Sequence, residues 1–243
     1  MEPQYDQIGA SYDPVKLIPI VRYGERPTLG RLLPDVRGRT VLDVACGTGF
    51  YARECVRLGA QRVVGVDISS EMISVARKAD ERDQFGIEYH VHDARTMPSL
   101  GTFDVALAVY LFNNAATAND LDMMFKQVAL NLAPHGYVIG FAADGSHVVD
   151  TDSRKYGASV NFLGEVDDGY RAQIVAHLPD GDIDFETFFL SKACYERAAR
   201  RAGFVVEWIP LEIDGDGVEA FEPGFWDDYL RNPSVVAFRA TRG

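Results

Sequence analysis

A short apolar strand that leads directly into a glycine-rich turn and a helix is the feature that most restricts the fold of this chain. The apolar residues 40–44 are followed by Gly47 and Gly49, and residues 49–58 then show the pattern of an amphipathic helix. A strand, a tight turn and a helix in this order begin a βαβ unit of a parallel sheet. The free N–H groups at such a helix N-terminus also attract carboxylates and phosphates.

The alternation of strand and helix continues beyond this first unit. Apolar runs predict strands at 62–66, 87–91, 103–109 and 137–142, and amphipathic segments predict helices at 69–77 and 121–132. Two further strands are predicted at 204–209 and 235–240, with a helix at 191–202 before them. We therefore expect an α/β fold with a doubly wound, mostly parallel seven-stranded sheet.

The segments outside this alternation predict two additions to the sheet. Apolar residues recur at helical intervals near the start of the chain, which predicts an N-terminal helical cap. Residues 170–178 and 183–190 flank a Pro-Asp-Gly-Asp turn and predict an antiparallel insertion after the fifth strand. We expect one domain, divided into a cap (1–38), a cofactor-binding core (39–143), a substrate-side flap (144–190) and a C-terminal part of the sheet (191–243).

Composition restricts the class of protein. Of the 243 residues, 47% are hydrophobic and 25% charged, as in globular proteins, and the formal net charge of −12 disfavours nucleic acid and anionic membrane partners. Cys46, Cys55 and Cys194 form no CxxC or zinc spacing, which predicts reduced thiols and no metal site. Because the sequence has no secretory signal or membrane-length apolar run, we expect a cytoplasmic protein. The expected partner is a small-molecule substrate, and the chain is expected to be a monomer or homodimer.

The glycine-rich turn fits two cofactor classes. Gly47-x-Gly49-x-x-Ala52 matches the dinucleotide fingerprint, and Asp67 follows about 20 residues later, as a ribose-binding acid should. An NAD(P)-dependent oxidoreductase is therefore one alternative, and a non-catalytic cofactor-binding module is another.

Asp43 favours S-adenosylmethionine. This residue ends the first predicted strand, where its carboxylate would repel the pyrophosphate of a dinucleotide. S-adenosylmethionine instead carries an ammonium, a carboxylate and a sulfonium, so that an acid beside a helix N-terminus matches its mixed charge.

Several motifs follow one another in the order found in class I S-adenosylmethionine methyltransferases. The first five motifs of that class resemble residues 43–49, 64–69, 92–95, 103–110 and 132–137 of this chain. The resemblance extends over residues 40–142. It implies a methyltransferase with Asp67 on the ribose hydroxyls, Ile68 against the adenine ring and Asp93 near the adenine amino group. The full set of expected cofactor-binding residues is Tyr12, Asp43, Ala45, Cys46, Gly47, Thr48, Gly49, Asp67, Ile68, Met72, Asp93, Ala94, Arg95 and Val109.

Four shorter segments are similar to the toxoflavin synthase type of small-molecule N-methyltransferase. They are residues 4–10, 45–51, 155–157 and 225–229. Enzymes of that type methylate a ring nitrogen of an azapteridine-like heterocycle. The resemblance implies a heteroaromatic acceptor in natural-product biosynthesis, with N-methylation favoured and O-methylation possible.

Methyl transfer from a sulfonium is an in-line displacement that depends mainly on orientation and a water-poor pocket. The candidate catalytic residues are Tyr110, Asn113 and Asn114, because they follow the fourth strand, at whose carboxyl end ligands bind. His147 or His177 is a candidate general base. The expected substrate-contacting residues are Tyr5, Tyr110, Phe112, Asn113, Asn114, Tyr156, Phe162, Tyr170 and Trp226, with Tyr229 as a further candidate to close the pocket.

Overall fold

The strands and helices follow the alternation in the sequence. The computed structural model describes residues 4–33, 35–147 and 153–243. Its strands are β1 (Thr40–Val44), β2 (Arg62–Asp67), β3 (Glu88–Val91), β4 (Phe103–Val109), β5 (Leu132–Ala143), β6 (Ala158–Val166), β7 (Gly169–Ala176), β8 (Ile183–Leu190), β9 (Phe204–Ile209) and β10 (Val235–Arg242). Its α-helices are α1 (Tyr5–Ile8), α2 (Arg26–Leu32), α3 (Phe50–Arg57), α4 (Ser70–Asp83), α5 (Ala118–Leu130), α6 (Lys192–Arg201), α7 (Gly215–Glu219) and α8 (Asp227–Arg231).

The main sheet has the strand order β3-β2-β1-β4-β5-β10-β9 in the described part of the chain. β1 to β5 are parallel to one another, whereas β10 runs antiparallel to both of its neighbours, β5 and β9. The predicted doubly wound, mostly parallel seven-stranded sheet is therefore confirmed. The strand order reverses between β1 and β4, and a ligand crevice is expected beyond the carboxyl ends of two such strands.

Both faces of the sheet are covered, and β1 shows why its residues are apolar throughout. Val41 belongs to the core that includes Ala52 and Cys55 of α3, whereas Leu42 belongs to the core that includes Phe125 of α5. Consecutive residues of a strand point to opposite faces, so a strand between two helical layers needs apolar residues at every position. No helix of the described residues is long and apolar enough to cross a membrane.

The N-terminal cap is helical, as predicted, but only part of it is α-helix. A 3₁₀ segment, Gly9–Leu17, follows α1, and a π-helical turn, Val21–Glu25, precedes α2. Pro14 has no N–H to donate within the 3₁₀ segment. Two side-chain hydrogen bonds join the cap to the core: the Ser69 hydroxyl donates to Asp6, and the Thr48 hydroxyl donates to Asp13.

The antiparallel insertion is a three-stranded sheet with the order β6-β7-β8. The predicted hairpin corresponds to β7 and β8, whose register is regular over eight pairs. The sequence interpretation missed β6. This strand has a register shift between Phe162 and Gly164, and exposed apolar residues follow one another there instead of alternating with polar ones.

Candidate cofactor and acceptor site

The turn between β1 and α3 holds three residues in the left-handed region. They are Ala45 (φ 63°), Gly47 (φ 53°) and Gly49 (φ 77°). Outside residues 46–48, no described atom lies within 4 Å of the place where a Cβ on Gly47 would be, so the protein leaves open space beside that backbone. A Cβ on Gly49 would instead collide with the Tyr89 hydroxyl. Gly47 thus exposes backbone to a ligand, whereas Gly49 is required by packing.

The Asp67 carboxylate is fixed at the end of β2 by backbone donors. Its Oδ2 accepts the N–H of Gly47 at 2.8 Å, and its Oδ1 accepts the N–H of Ser69 at 2.9 Å. Burial raises the pKa of Asp67, and these hydrogen bonds act in the opposite direction. The Gly49 N–H donates to the Cys46 carbonyl at 2.9 Å. The N–H groups of both turn glycines are therefore engaged within the protein, contrary to the expectation that they are free for a ligand carboxylate.

Asp43 lies beneath this turn rather than on a pocket wall. Its side chain is 1% exposed, and the backbone of Ala52 in the first turn of α3 hydrogen-bonds to it. Its Oδ2 has no hydrogen-bond partner among the described residues. Burial raises the pKa of Asp43 to about 7, although the positive charge of Lys16 lowers it. A buried carboxylate oxygen without a donor is suited to an ammonium group.

The remaining predicted cofactor residues line two adjoining pockets. The first, here the loop pocket, is bounded by Tyr12, Ala45, Cys46, Gly47, Thr48, Asp67, Met72 and Val109, together with Tyr5, Lys16, Phe50, Tyr51, Tyr110 and Asn114. The second, here the β3-side pocket, is bounded by Ala45, Asp67, Ile68, Asp93, Ala94, Arg95 and eight other residues. Ile68 is 45% exposed, so an apolar side chain is available to a ring that enters the second pocket.

Asp93 lines the β3-side pocket, where hydrogen bonds hold its carboxylate in place. Arg95 donates to both of its carboxylate oxygens at 2.6–3.0 Å and also to Asp120 at 3.1 Å. The Arg95 guanidinium holds the pKa of Asp93 below its usual range. Asp120 in turn caps α5, so that this short network ties the pocket wall to a helix N-terminus.

A third cavity, here the flap chamber, lies between the cap, the end of β4 and the three-stranded sheet. The space between its walls is about 810 Å³, a volume that includes the open mouth. The flap contributes alternate residues from one face of its sheet: Ala158, Val160, Ile174, Ala176, Phe185, Thr187 and Phe189. The lining is mainly apolar and includes four of the predicted substrate residues: Tyr5, Tyr110, Asn113 and Asn114.

Five residues line both the loop pocket and the flap chamber. They are Tyr5, Tyr12, Lys16, Tyr110 and Asn114. The rings of Tyr5 and Tyr12 lie 6.0 Å apart, which is an edge-to-face contact. Tyr110 has a φ of 60°, an uncommon and strained conformation for a bulky residue. The two cavities therefore meet at one shared wall.

Asn113 belongs to the chamber wall as a structural residue. Its Oδ1 accepts the N–H of Ala143 at 2.9 Å, and its carbonyl accepts the Thr187 hydroxyl at 3.1 Å. It thereby joins the end of β4 to β5 and to β8 of the flap. Asn114 is more exposed, and its side-chain amide donates to the Tyr110 carbonyl at 3.0 Å.

Three of the predicted substrate residues lie in packed clusters instead. Phe112 is fully buried and stacks on Phe125 with ring centroids 4.0 Å apart. Tyr156 stacks on Trp226 at 5.5 Å, and the indole N–H of Trp226 donates to the Gly217 carbonyl at 2.9 Å. These rings are core residues of the fold, which corrects the expectation that they face the acceptor.

The flap residues Phe162 and Tyr170 also lie away from the chamber lining. Phe162 is 44% exposed on β6. Tyr170 stacks on Phe189 at 4.8 Å and donates its hydroxyl to the carbonyl of His147. Tyr170 pairs with Phe189, and Phe162 pairs with Ala172, so both side chains share the chamber face of the flap. Both expectations are corrected because these residues lie closer to the turn between β6 and β7 than the residues of those strands that line the chamber.

Neither candidate histidine reaches the chamber. His147 Nδ1 lies 3.0 Å from the Asn232 carbonyl, and burial lowers the pKa of His147. His177 lies between the Ser159 hydroxyl and the Asp182 carboxylate, each at 2.8 Å. Both rings are thus held by the flap and the C-terminal segment.

Sequence reasoning missed the charged residues of the chamber. Glu25 is 2% exposed and accepts a hydrogen bond from the Tyr110 hydroxyl, while Lys16 faces the rings of Tyr12 and Tyr51 at about 5 Å. Lys16 gave a signal as the single charge of the apolar stretch 14–21, whereas Glu25 lies between Arg22 and Arg26 and gave none. In the described residues, no group of three His, Cys, Asp or Glu side chains is arranged to hold a metal ion.

Comparisons with known proteins agree with this geometry. A family model described as a methyltransferase domain matches residues 41–136. A ribosomal protein L11 methyltransferase of Burkholderia mallei is 34% identical over 101 residues, which cover 42% of this chain and 31% of that protein. A ubiquinone biosynthesis O-methyltransferase of Bradyrhizobium diazoefficiens is 30% identical over 109 residues, which cover 45% and 42%. The chain spans less than half the length of these two curated relatives.

The likeness in structure extends over nearly the whole chain. An S-adenosylmethionine-dependent methyltransferase of Mesorhizobium loti superposes with a TM-score of 0.66 at 19% identity, covering 94% of this chain and all of that one. At this identity the match shows the fold, and the family model adds the domain. Residues 41–136 therefore match a methyltransferase domain, within a chain that has the fold of a solved S-adenosylmethionine-dependent methyltransferase.

Proposed function

We propose that the protein transfers the methyl group of S-adenosylmethionine to a small, largely apolar acceptor, with a heteroaromatic nitrogen as the favoured atom. The observation that carries this proposal is the wall of five residues shared by the loop pocket and the flap chamber. A donor in one cavity and an acceptor in the other would meet at that wall. The aromatic rings of Tyr5, Tyr12 and Phe185, 5.7–6.0 Å apart, support a flat acceptor.

The residues present fit the cofactor at both ends. The unpartnered Asp43 Oδ2 and the open space beside Gly47 suit its amino-acid end. Asp67, at the boundary of the two cofactor pockets, would take the ribose hydroxyls, and Ile68 and Asp93 would contact the adenine. Lys16 is a cation of the cap whose charge acts on both Asp43 and Asp13. When bound, the cofactor supplies an activated methyl group on a positively charged sulfur.

The chain's own residues would act mainly by orientation and by exclusion of water. The cap is joined to the turn through Asp13 and Thr48 and to β8 by two hydrogen bonds of 2.9 Å between Gln4 and the Glu186 backbone. The acceptor would therefore be enclosed between the cap and flap, where few waters compete. Holding two reactants in line is worth several kcal/mol, on the order of 7 or more in favourable cases.

Binding of S-adenosylhomocysteine, measured by calorimetry, tests the cofactor assignment. We expect Asp67→Ala to weaken binding by about tenfold or more, ~1.4 kcal/mol, because a ribose anchor is lost. Asp35→Ala is the matched control, since Asp35 also accepts the N–H of the residue two positions later but lies on the surface. NADH is titrated in parallel. Binding of NADH without binding of S-adenosylhomocysteine would refute the proposal in favour of an oxidoreductase.

Turnover separates a methyltransferase from a non-catalytic binding module. Formation of S-adenosylhomocysteine is measured with a panel of N–H and O–H heteroaromatic compounds. Cofactor binding with no turnover of any flat acceptor would contradict the heteroaromatic part of the proposal. The resemblance to the toxoflavin synthase type, and with it the role in natural-product biosynthesis, stays a prediction that this panel addresses.

A further inference from the structure

Glu25 is the buried carboxylate of the flap chamber. It ends the π-helical turn Val21–Glu25, an element that is rare and often lies at functional sites. Its side chain is 2% exposed but lines the chamber. One carboxylate oxygen, Oε1, accepts the hydroxyl of Tyr110. The other, Oε2, has no hydrogen-bond partner in the described residues.

An unpartnered carboxylate oxygen in an apolar cavity is costly unless a ligand satisfies it. Buried polar atoms in native proteins almost always have a partner, and an unpaired one costs on the order of 1–3 kcal/mol. The chamber around Glu25 is lined by apolar side chains such as Val15, Ile18 and Ile174. A ligand that enters the chamber with an N–H or O–H group would supply the missing donor.

The groups that face Glu25 come from the cap, the core and the C-terminal segment. They are Lys16, Tyr12, Tyr51, Tyr110 and Tyr229, each of which interacts electrostatically with its carboxylate. Burial raises the pKa of Glu25 to about 7, whereas the hydrogen bond from Tyr110 and the charge of Lys16 lower it. A carboxylate that titrates near neutrality can both take up and release a proton under physiological conditions.

Tyr110 connects this carboxylate to the cofactor side. It follows β4, lines both the loop pocket and the flap chamber, and holds its strained backbone conformation while its hydroxyl donates to Glu25. The residue therefore engages Glu25 Oε1 and leaves Oε2 without a donor in a side chain that lines the chamber. Tyr110 acts in this arrangement as a positioning residue.

We propose that Glu25 Oε2 accepts the proton that the methyl acceptor loses, so that the acceptor must carry an ionisable N–H or O–H. In the balanced step, the acceptor nitrogen or oxygen forms a bond to the methyl carbon. The bond between that carbon and sulfur breaks with its electron pair remaining on sulfur, and the proton passes to Glu25 Oε2. The proton leaves to solvent when the product departs. This inference rests on the proposed function and extends it to the acceptor's chemistry.

The test is direct titration of Glu25 by carbon NMR of protein labelled at the glutamate carboxyl carbon. We expect one resonance with a pKa near 7, absent in Glu25→Gln and retained in Glu212→Gln, whose side chain is exposed. Tyr110→Phe should raise this pKa, because it removes a hydrogen bond that lowers it. An ordinary glutamate pKa for the Glu25 resonance would overturn the proposal.

The same resonance reports whether a ring N–H reaches Oε2. Imidazole and 1-methylimidazole are titrated at about pH 8.5, where Glu25 is ionised and both ring probes are neutral. Imidazole should shift the Glu25 resonance of the wild type, and its affinity for Glu25→Gln should be about tenfold lower than for the wild type. 1-Methylimidazole has no N–H, so its affinities for the two proteins should differ by less than about threefold. No shift with imidazole, or an equal effect of both probes, would overturn the proposal.

Calorimetry with S-adenosylhomocysteine on the same samples distinguishes a failure of the proton-acceptor role from a failure of the proposed function. If S-adenosylhomocysteine binds and Glu25 does not respond to imidazole, the proton-acceptor role alone is wrong. If S-adenosylhomocysteine does not bind, the proposed function itself is wrong.

Discussion

Gly47 is the position at which close approach of the cofactor to the backbone can be measured. Its φ is 53°, and none of the described atoms outside residues 46–48 comes within 4 Å of a Cβ built there. The side chain of Gly47→Ala would therefore project into the open loop pocket without displacing protein atoms. Gly38 is the matched control: its φ is 72°, its Cβ position is equally open, and it lies in the exposed turn before β1.

The magnitude of the effect on stability follows from the backbone conformation. A residue with a Cβ loses about 1–2 kcal/mol in the left-handed region, and the lower entropy of the unfolded chain returns about 0.4–1 kcal/mol. Both variants should therefore lose roughly 1 kcal/mol of unfolding free energy. Only Gly47→Ala places a methyl group where the ligand would touch the backbone, so only this variant should lose affinity for S-adenosylhomocysteine, by about tenfold or more.

Urea unfolding without ligand and calorimetry with S-adenosylhomocysteine measure the two quantities separately. Equal affinity in Gly47→Ala and Gly38→Ala would refute the close approach of the cofactor to this backbone. A much larger loss of stability in Gly47→Ala than in Gly38→Ala would refute the claim that open space lies beside the Gly47 backbone. Either result would require another explanation for a glycine at this position.

Three further measurements test the assignment of Phe112 and Trp226 to the core and the protonation of the buried carboxylates. Phe112→Ala should lower the unfolding free energy by about 3–5 kcal/mol in urea, because its buried ring stacks on Phe125; near-wild-type stability would place the ring at the acceptor instead. Trp226→Phe should cost about 1–3 kcal/mol through the lost indole hydrogen bond, and a fall in S-adenosylhomocysteine affinity at unchanged stability would contradict this. Burial raises the pKa values of Asp43 and Glu25 to about 7, so the folded state holds protons that the unfolded state releases above about pH 4. The unfolding free energy should therefore fall from about pH 4 to 7, and less so in Glu25→Gln; a rise with pH would show that the carboxylates are stabilised as anions.

The cofactor pockets could be predicted from the sequence because their residues follow local patterns. Gly47 and Asp67 are 20 positions apart in a βαβ unit, and the hydrogen bond between them is the direct result of placing β1 beside β2. Short-range periodicity and turn chemistry fix such a unit before any distant contact forms. The predicted strands of the core accordingly differ from the observed ones mainly at their ends.

The lining of the flap chamber could not be predicted from the sequence, and Phe112 shows why. Tyr110 and Phe112 are two positions apart and would share a face if the strand continued. The chain instead takes a left-handed conformation at Tyr110 and enters a 3₁₀ turn at Phe112–Asn114. Tyr110 therefore faces the chamber, whereas Phe112 packs into the core. No glycine marks this bend, so the sequence carries no signal for it.

The cofactor pockets and the flap chamber also differ in how the chain builds them, which explains where the sequence match to the family model ends. Most residues of the two cofactor pockets lie within residues 41–136, the segment matched by the family model. The flap chamber takes its lining from four separate stretches within residues 5–25, 110–114, 143–189 and 229–235. Cap and flap substitutions away from the shared wall can therefore alter the acceptor while the cofactor pockets stay intact. Lys16 and Tyr110 belong to both cavities, so substitutions there should affect cofactor and acceptor binding together.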